Sequence, residues 1–323
     1  MRHLNPQRFL RGLHRWKPRD CTYVAAQWRP AQGLVATVCA TSSARPRILA
    51  SHHLPDAEPT ATNISTLAQA LGAAQLPWVW LLGRDDYLLV VMDKPPLPAA
   101  EMNGGVAWAL EPRIDFPPEQ ASVAWMDLPQ PEPAHATSQI YAVASRRTTV
   151  DQARRLFDEA QVALEVVDIP ETAQRNIAAL IAHEDECLAM LSFEATGALL
   201  TFTWRGELYL NRFIVQPLHD IDRADDADRH RILIRLVGHY QQSLDFLARQ
   251  YEFLRVSRLV VGPVPFAWDP VPTLARALPH AVESIDLSRW VDWSDSADTP
   301  GGSDQARLWG VLGAALRQES LRS

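Results

Sequence analysis

Apolar runs separated by turn formers give the clearest pattern in this chain between residues 188 and 214. Leu188-Ala189-Met190-Leu191-Ser192-Phe193 and Ala198-Leu199-Leu200-Thr201-Phe202-Thr203-Trp204 are rich in strand formers, with Ala195-Thr196-Gly197 between them. After Arg205-Gly206, the run Glu207-Leu208-Tyr209-Leu210-Asn211-Arg212-Phe213-Ile214 alternates polar with apolar side chains. The spacing predicts a three-stranded antiparallel meander. A similar pattern near the start predicts strands over 22–28, 33–41 and 47–53, joined by turns containing Pro or Gly. A helix over 60–75 follows, with Ile64, Leu67, Ala68 and Leu71 on one face, then strands over 78–82 and 87–92.

Lys94-Pro95-Pro96-Leu97-Pro98 reads as a rigid junction, beyond which the pattern becomes a smaller α+β piece. It predicts a helix over 98–110, strands over 122–127 and 138–145, a helix over 150–161 and a strand over 163–168. Ile169-Pro170-Glu171-Thr172 opens a helix to Ala182. From Ile232 through Leu236, Tyr240, Leu244, Leu247, Tyr251 and Leu254, apolar residues recur every three or four positions, as in a long helix packed on a sheet. Strand 258–261, helix 272–278, strand 282–287 and helix 304–319 close the pattern, and 294–303 has the polar, acidic composition of a mobile segment. Before all of this, Asn5-Pro6 opens a short helix that Pro18 ends, with Phe9, Leu10, Leu13 and Trp16 on one side and Arg8, Arg11 and Arg15 on the other. That stripe suits a bilayer surface or a partner's groove, or equally the protein's own first lobe, because Gly12 leaves the helix weak without such contact. The expected organisation is an amphipathic helix over 1–20, a first lobe over 21–95, an insert over 96–168 and a second lobe over 169–323 whose last helix is a candidate to return to the first.

At 323 residues the chain exceeds the size of one core, which supports two lobes. A net charge of -7 argues against a general nucleic-acid binder. No apolar run approaches the roughly 20 residues needed to span a bilayer, and Met1-Arg2-His3-Leu4-Asn5-Pro6 lacks a signal-peptide pattern, so a cytoplasmic location is expected. Cys21, Cys39 and Cys187 form no C-x-x-C pair and sit among apolar residues, which predicts reduced core thiols. The acidic stretch from Asp220 to Asp228 lacks the central glycine and closing glutamate of a calcium loop and reads as a solvated loop. His183-Glu184-Asp185-Glu186 has Cys187 where a zinc helix needs its second His, and reads as an exposed turn. His52-His53 lacks further ligands at metal spacing, and Arg205 and Arg212 read as lining a solvated sheet edge. No nucleophile elbow or phosphate-binding P-loop is present.

Strand-strand-strand-helix-strand is the ribonuclease-H-like unit from which actin-like proteins are built twice. The chain also resembles, over roughly residues 23–317, the MshI-type agglutinin (MSHA-type pilus) biogenesis proteins, relatives of the type IV pilus assembly protein PilM. The resemblance is carried by Pro95-Pro96-Leu97-Pro98-Ala99-Ala100-Glu101, Ala107-Trp108-Ala109-Leu110-Glu111, Ile114-Asp115-Phe116-Pro117-Pro118, Tyr141-Ala142-Val143-Ala144-Ser145, Val167-Asp168-Ile169-Pro170-Glu171, Arg205-Gly206-Glu207-Leu208-Tyr209-Leu210-Asn211-Arg212 and Trp309-Gly310-Val311-Leu312-Gly313-Ala314-Ala315-Leu316-Arg317. It implies an α/β, two-lobed actin-like fold with an inserted α+β subdomain. It also implies a place at the cytoplasmic side of an inner-membrane assembly platform, and a membrane partner whose short cytosolic tail docks near Pro95, Pro96 and Leu97. Self-association and peripheral membrane contact are compatible with that role.

Where ATP-binding relatives carry an Asp-x-Gly turn, this chain has Ala25-Ala26-Gln27-Trp28-Arg29-Pro30, and the matching turn of the second half reads Ser192-Phe193-Glu194-Ala195-Thr196-Gly197. A Gly-Gly turn of the relatives is replaced by Gly262-Pro263. A magnesium-holding carboxylate, small residues and an amide donor are thereby lost, which predicts a scaffold that needs no cofactor. The competing reading is an active hydrolase of the same fold that binds ATP and magnesium.

Overall fold

The computed structural model describes residues 21–41, 45–129, 138–293 and 301–317. The amphipathic segment carrying Arg8, Phe9, Leu10, Arg11, Leu13, Arg15 and Trp16 lies outside the described residues, as do 294–300 of the acidic stretch.

Two five-stranded sheets share one strand order. In the first, β1 (Thr22–Arg29), β2 (Gly33–Ala40) and β3 (Arg47–Leu54) form an antiparallel meander, and β4 (Trp78–Leu81) and β8 (Leu164–Asp168) extend it in parallel, in the order β3-β2-β1-β4-β8. In the second, β9 (Cys187–Glu194), β10 (Gly197–Trp204) and β11 (Glu207–Val215) form the meander, and β12 (Val256–Val261) and β13 (Ala281–Ser284) extend it, in the order β11-β10-β9-β12-β13. The same unit is built twice. Successive residues of β1 enter different cores, Tyr23 and Ala25 on one face and Val24 and Ala26 on the other, so both faces are covered and the strand is apolar from Tyr23 to Ala26.

Helices α1 (Ala61–Ala70) and α3 (Arg147–Glu159) cover one face of the first sheet. Thr60 caps α1 by accepting a bond from the Asn63 amide, and Phe157 of α3 is buried edge-on against Trp78 and Trp80, with ring centroids 5.8 and 5.6 Å apart. Helices α4 (Pro170–Ile181) and α8 (Gly302–Ala315) lie between the two sheets, where Ala25, Val79 and Leu81 meet Ile177, Val311, Leu312, Met190 and Val260 in one continuous core. Helix α8 packs directly on β1 and β2. Helices α6 (Asp226–Gln250) and α7 (Val271–Ala277) cover the far face of the second sheet.

Sheet pairing departs from the expected boundaries at two strands. β5 (Tyr87–Asp93), expected in the first lobe, pairs antiparallel with β7 (Gln139–Arg146), which pairs with β6 (Ala121–Asp127) to form a separate sheet in the order β5-β7-β6. Leu164–Asp168, expected in the insert, closes the first sheet as β8. Periodicity identifies a strand and its faces but not its partner. Helix α2 (Met102–Ala109) begins later than expected and lays Met102, Val106 and Ala107 on Ile140 and Ala142 of the small sheet.

The acidic stretch is not a loop. Leu218–Arg223 forms α5, and Asp225 caps α6 by accepting from the Asp228 amide at 2.8 Å, with Asp226 and Asp228 at the positive end of that helix's dipole. The turn at 183–186 is exposed at His183, Glu184 and Asp185, whereas Glu186 is half-buried. Glu186 accepts from Arg258 Nε and Ser257 Oγ, each at 2.7 Å, and from the His183 amide at 2.8 Å. Burial pushes its carboxyl up, but these bonds win and hold it at about 2. Arg205 pairs with Asp185 at the surface, whereas Arg212 is half-buried and donates to Ser243 at 3.0 Å. His53 Nε2 lies 2.7 Å from the Gln32 carbonyl oxygen. Cys39 and Cys187 are buried free thiols raised to about 12 by burial, and Cys21 is half-buried. Among the described residues no helix is long and apolar enough to cross a membrane.

Candidate functional site: the cleft between the lobes

Strands β1 and β9 are equivalent in the repeated unit, and each ends at the cleft between the sheets. Ala25, Ala26, Gln27 and Trp28 do not form a loop there. They lie within β1, with Ala25 and Ala26 fully buried, and the chain turns only at Pro30-Ala31-Gln32, with Ala31 at φ 60°. Ser192, Phe193 and Glu194 likewise complete β9, and Ala195-Thr196 makes the turn to Gly197.

Side chains of the protein occupy this region. Gln27 accepts from Arg29 Nε at 2.8 Å, and Ser192 donates to Gln174 Oε1 at 2.5 Å, an oxygen that Trp309 Nε1 also approaches at 3.3 Å. Phe193 packs edge-on against Phe266 with centroids 5.3 Å apart. Gly197 is dictated by sterics, since a Cβ there would lie 2.4 Å from the Ile214 carbonyl oxygen and 2.6 Å from Cζ of Phe213. Phe213 therefore fills the space over the second hairpin, and the Arg84 guanidinium lies 4.7 Å from its ring centroid. Arg84 is ion-paired with Glu171, which also accepts from Tyr87 Oη at 2.6 Å. The amide of Gly262 is used by the Leu191 carbonyl at 2.7 Å. The Gly262 amide and the Arg84 guanidinium are thus both engaged inside the protein.

Helix α4 organises the cleft. Glu171, Thr172, Gln174, Arg175 and Asn176 are all buried, and most of their polar groups find partners, Arg175 Nε being an exception. Gln174 Nε2 donates to the Met190 carbonyl at 3.0 Å and to Thr201 Oγ1 at 2.9 Å, and Asn176 donates to the Gly313 carbonyl at 2.9 Å. Asp168, at the end of β8, accepts from the Ile169 amide at 2.9 Å, from Thr172 Oγ1, and from Arg317 Nη1 at 2.8 Å. The arrangement ties both sheets to one helix.

Electrostatics in the cleft are uneven. Arg29 and Glu194, the last residues of β1 and β9, attract each other. Burial, reinforced by the nearby Glu171 carboxylate, pushes Glu194 up to about 7 against the pull of Arg29 and Arg84. Tyr87 is raised well above its ordinary value, first by burial and then by Glu171. Among the described residues no group of three or more His, Cys, Asp or Glu side chains could hold a metal ion.

Two hollows open among the described residues. One, of about 730 Å3, is lined by Gly262, Pro263, Phe266, Trp268 and Gln305. The other, of about 620 Å3, runs between α2, the start of β6 and the start of α3, with Trp108, Ser122, Arg147 and Arg154 on its walls. Trp108 is 57% exposed. The expected docking residues sit elsewhere: Pro95 and Leu97 pack against Gly105 of α2, where a Cβ would lie 2.1 Å from Leu97 Cδ1. Sequence reasoning missed Arg84, Tyr87, Glu171 and Phe213, which carry no local motif.

No protein-family model matches the sequence, and no curated protein matches it. Among solved structures, the chain is similar to one described as the PilM-PilN type IV pilus biogenesis complex, at 18% identity and a TM-score of 0.66, covering 93% of this chain and 97% of that one. It is also similar to the cytoplasmic domain of EpsL, an inner-membrane component of the type II secretion system of Vibrio cholerae, at 11% identity and a TM-score of 0.49, covering 94% and 98% of the two chains. A Bacteroides thetaiotaomicron protein with an actin-like ATPase fold and unknown function matches at 9% identity and a TM-score of 0.46, covering 90% and 96%. The repeated sheet unit and the inserted small sheet, together with the likeness to the PilM-PilN structure, give the chain the two-lobed actin-like fold.

Proposed function

We propose that this protein is a non-enzymatic scaffold on the cytoplasmic side of an inner-membrane assembly platform for a type IV pilus, of the MshI (MSHA) type, or a related secretion system. In this reading it docks the cytosolic tail of a membrane-anchored partner. The observation that supports the reading is the packing of Phe213 onto Gly197 beneath Arg84, at the turn where the resemblance places a phosphate loop. The likeness to the PilM-PilN structure over nearly the whole of both chains supports the platform assignment. The test is a thermal shift with ATP and magnesium. A ligand at 100 times its Kd would add about 2.7 kcal/mol of stability, so an unmoved midpoint is expected and a clear rise would overturn the reading. An actin-like ATP-binding protein is the second reading, favoured by the hollow beside Gly262.

The groove between α2, β6 and α3 is the docking site in this proposal, since it places an exposed tryptophan beside Arg147 and Arg154 at the seam between insert and first lobe. Trp108→Ala is expected to weaken binding of the partner's tail peptide at least about tenfold, the size of a moderate aromatic anchor, with little change in thermal midpoint. Crosslinks from the peptide to the second lobe alone would refute it.

A further inference from the structure

Strand β11 is the outer strand of the second sheet. It pairs with β10, and among the described residues no strand pairs with its other edge. Helix α6 runs antiparallel alongside it. Arg235 donates to Gln216 just past the end of β11, Arg212 donates to Ser243 at 3.0 Å, and the Tyr209 and Tyr251 rings meet with centroids 5.0 Å apart, so helix numbering rises as strand numbering falls. From Arg235 to Tyr251 the helix rises about 24 Å and from Gln216 to Tyr209 the chain spans about 23 Å, so the helix flanks the edge over its whole length. The two ends of this ledge differ in character. At the Val215 end, Arg212, Arg235 and His239 converge: Ser243 Oγ accepts from Arg212 and donates to the His239 carbonyl at 2.8 Å, and His239 Nδ1 is buried without a hydrogen-bond partner. The bonding partners of both arginines, Ser243 and Gln216, are neutral. Burial and then the two arginines hold the His239 ring below its ordinary value, which shows how closely the cations are gathered. Val215 beside them is 76% exposed. At the other end Phe246 and Phe253 are 43% and 45% exposed, and Phe253 meets Trp204 and Tyr209 with centroids 5.2 and 6.3 Å apart.

We propose that β11 takes an added strand from an acidic partner protein, whose extended segment sets carboxylates against Arg212, Arg235 and His239 and an apolar side chain against Phe246 and Phe253. The outer edge of a sheet offers unpaired amides and carbonyls to any extended chain. Arg212 alone would serve to keep other edges away, as a single charge on an edge strand does. Its convergence with Arg235 and His239, in line with exposed aromatic rings, makes the edge selective instead. Cations gathered beside neutral partners repel one another, and an anionic occupant removes that cost while steering its own approach. Every second side chain of an added strand faces α6, so the segment that fits alternates, with its acidic and apolar residues sharing one face. The surface is built from the second lobe alone, and it depends neither on the α2 groove nor on the state of the cleft.

The probe is a fluorescein-labelled octapeptide, Phe-Thr-Val-Thr-Glu-Thr-Glu-Thr, titrated with the full chain and followed by anisotropy. Saturable binding is expected, together with slowed hydrogen exchange at the amides of β11. Arg235→Glu and Phe253→Ser, at opposite ends of the ledge, should each weaken binding at least about tenfold, and either decides the matter if the other does not fold. Replacing the central Val-Thr of the peptide by Pro-Pro should abolish binding, because the amide donors that an added strand needs are removed. No saturable binding, or equal affinity for the proline peptide or for a peptide with lysine in place of glutamate, would overturn the proposal. Vesicles of phosphatidylcholine and phosphatidylserine that bind the parent protein and not Arg235→Glu, with no binding of the peptide, would assign the cations to a membrane surface and overturn it as well.

Discussion

Asp168→Ala should lower the unfolding free energy by about 3–5 kcal/mol, the range for breaking a buried ion pair by removing one partner. Asp168 is fully buried and Arg317 is 7% exposed, so the guanidinium left behind cannot recover its hydration. The loss extends further, because the same carboxylate accepts from the Ile169 amide and from Thr172 Oγ1. Denaturant unfolding gives the number. The pair's net worth is a separate matter: Asp168→Leu combined with Arg317→Met should destabilise much less than the single change, since no orphaned charge remains. A single change costing under about 1 kcal/mol, the scale of an exposed pair, would mean that Arg317 reaches water.

Gly313→Val should be nearly as severe, at about 3 kcal/mol. A Cβ on Gly313 would lie 2.3 Å from the Ala173 carbonyl oxygen and 2.7 Å from its carbonyl carbon, and these are backbone atoms of a neighbouring helix that cannot swing aside. Two effects compete at this position. Replacing a helical glycine by alanine should gain up to about 1 kcal/mol from intrinsic propensity, whereas overpacking a close helix contact costs about 1–3 kcal/mol. Packing wins here because α4 would have to move off α8, stretching the bond from Asn176 to the Gly313 carbonyl. Gly313→Ala is therefore also expected to destabilise, and a rise in thermal midpoint for the alanine variant would show that the helices separate freely.

The meanders were legible because both signals that define them are local, namely apolar alternation and short turns such as Pro30-Ala31-Gln32 and Ala195-Thr196. The partners of β5 and β8 were not, because Leu88 to Val91 is as apolar as a first-lobe strand and nothing in its sequence names β7 as its neighbour. Helix α4 was placed but its environment was not. Nothing local marks Glu171, Gln174 and Asn176 as buried, and they are so because their partners arrive from β9, β10, α8 and the turn at Arg84. The candidate site divides in the same way. Sequence identified Glu194 as foreign to a phosphate turn, while the stacking of Arg84 on Phe213 joins residues far apart in the chain and becomes visible only in three dimensions.

The packing of α8 on β1 and β2 has a consequence for synthesis. The first meander is complete by Leu54, yet the helix that covers one of its apolar faces begins at Gly302. At about 5–20 residues per second, the ribosome takes roughly 12–50 seconds to make the intervening chain. Throughout that interval Tyr23, Val35 and Ile48 lack the helix that shields them in the finished protein. Vulnerability to aggregation is then fixed by elongation rate and by holding chaperones rather than by the stability of the finished fold, and slower translation of the second half should lower the yield of correctly folded protein even though every native contact is unchanged.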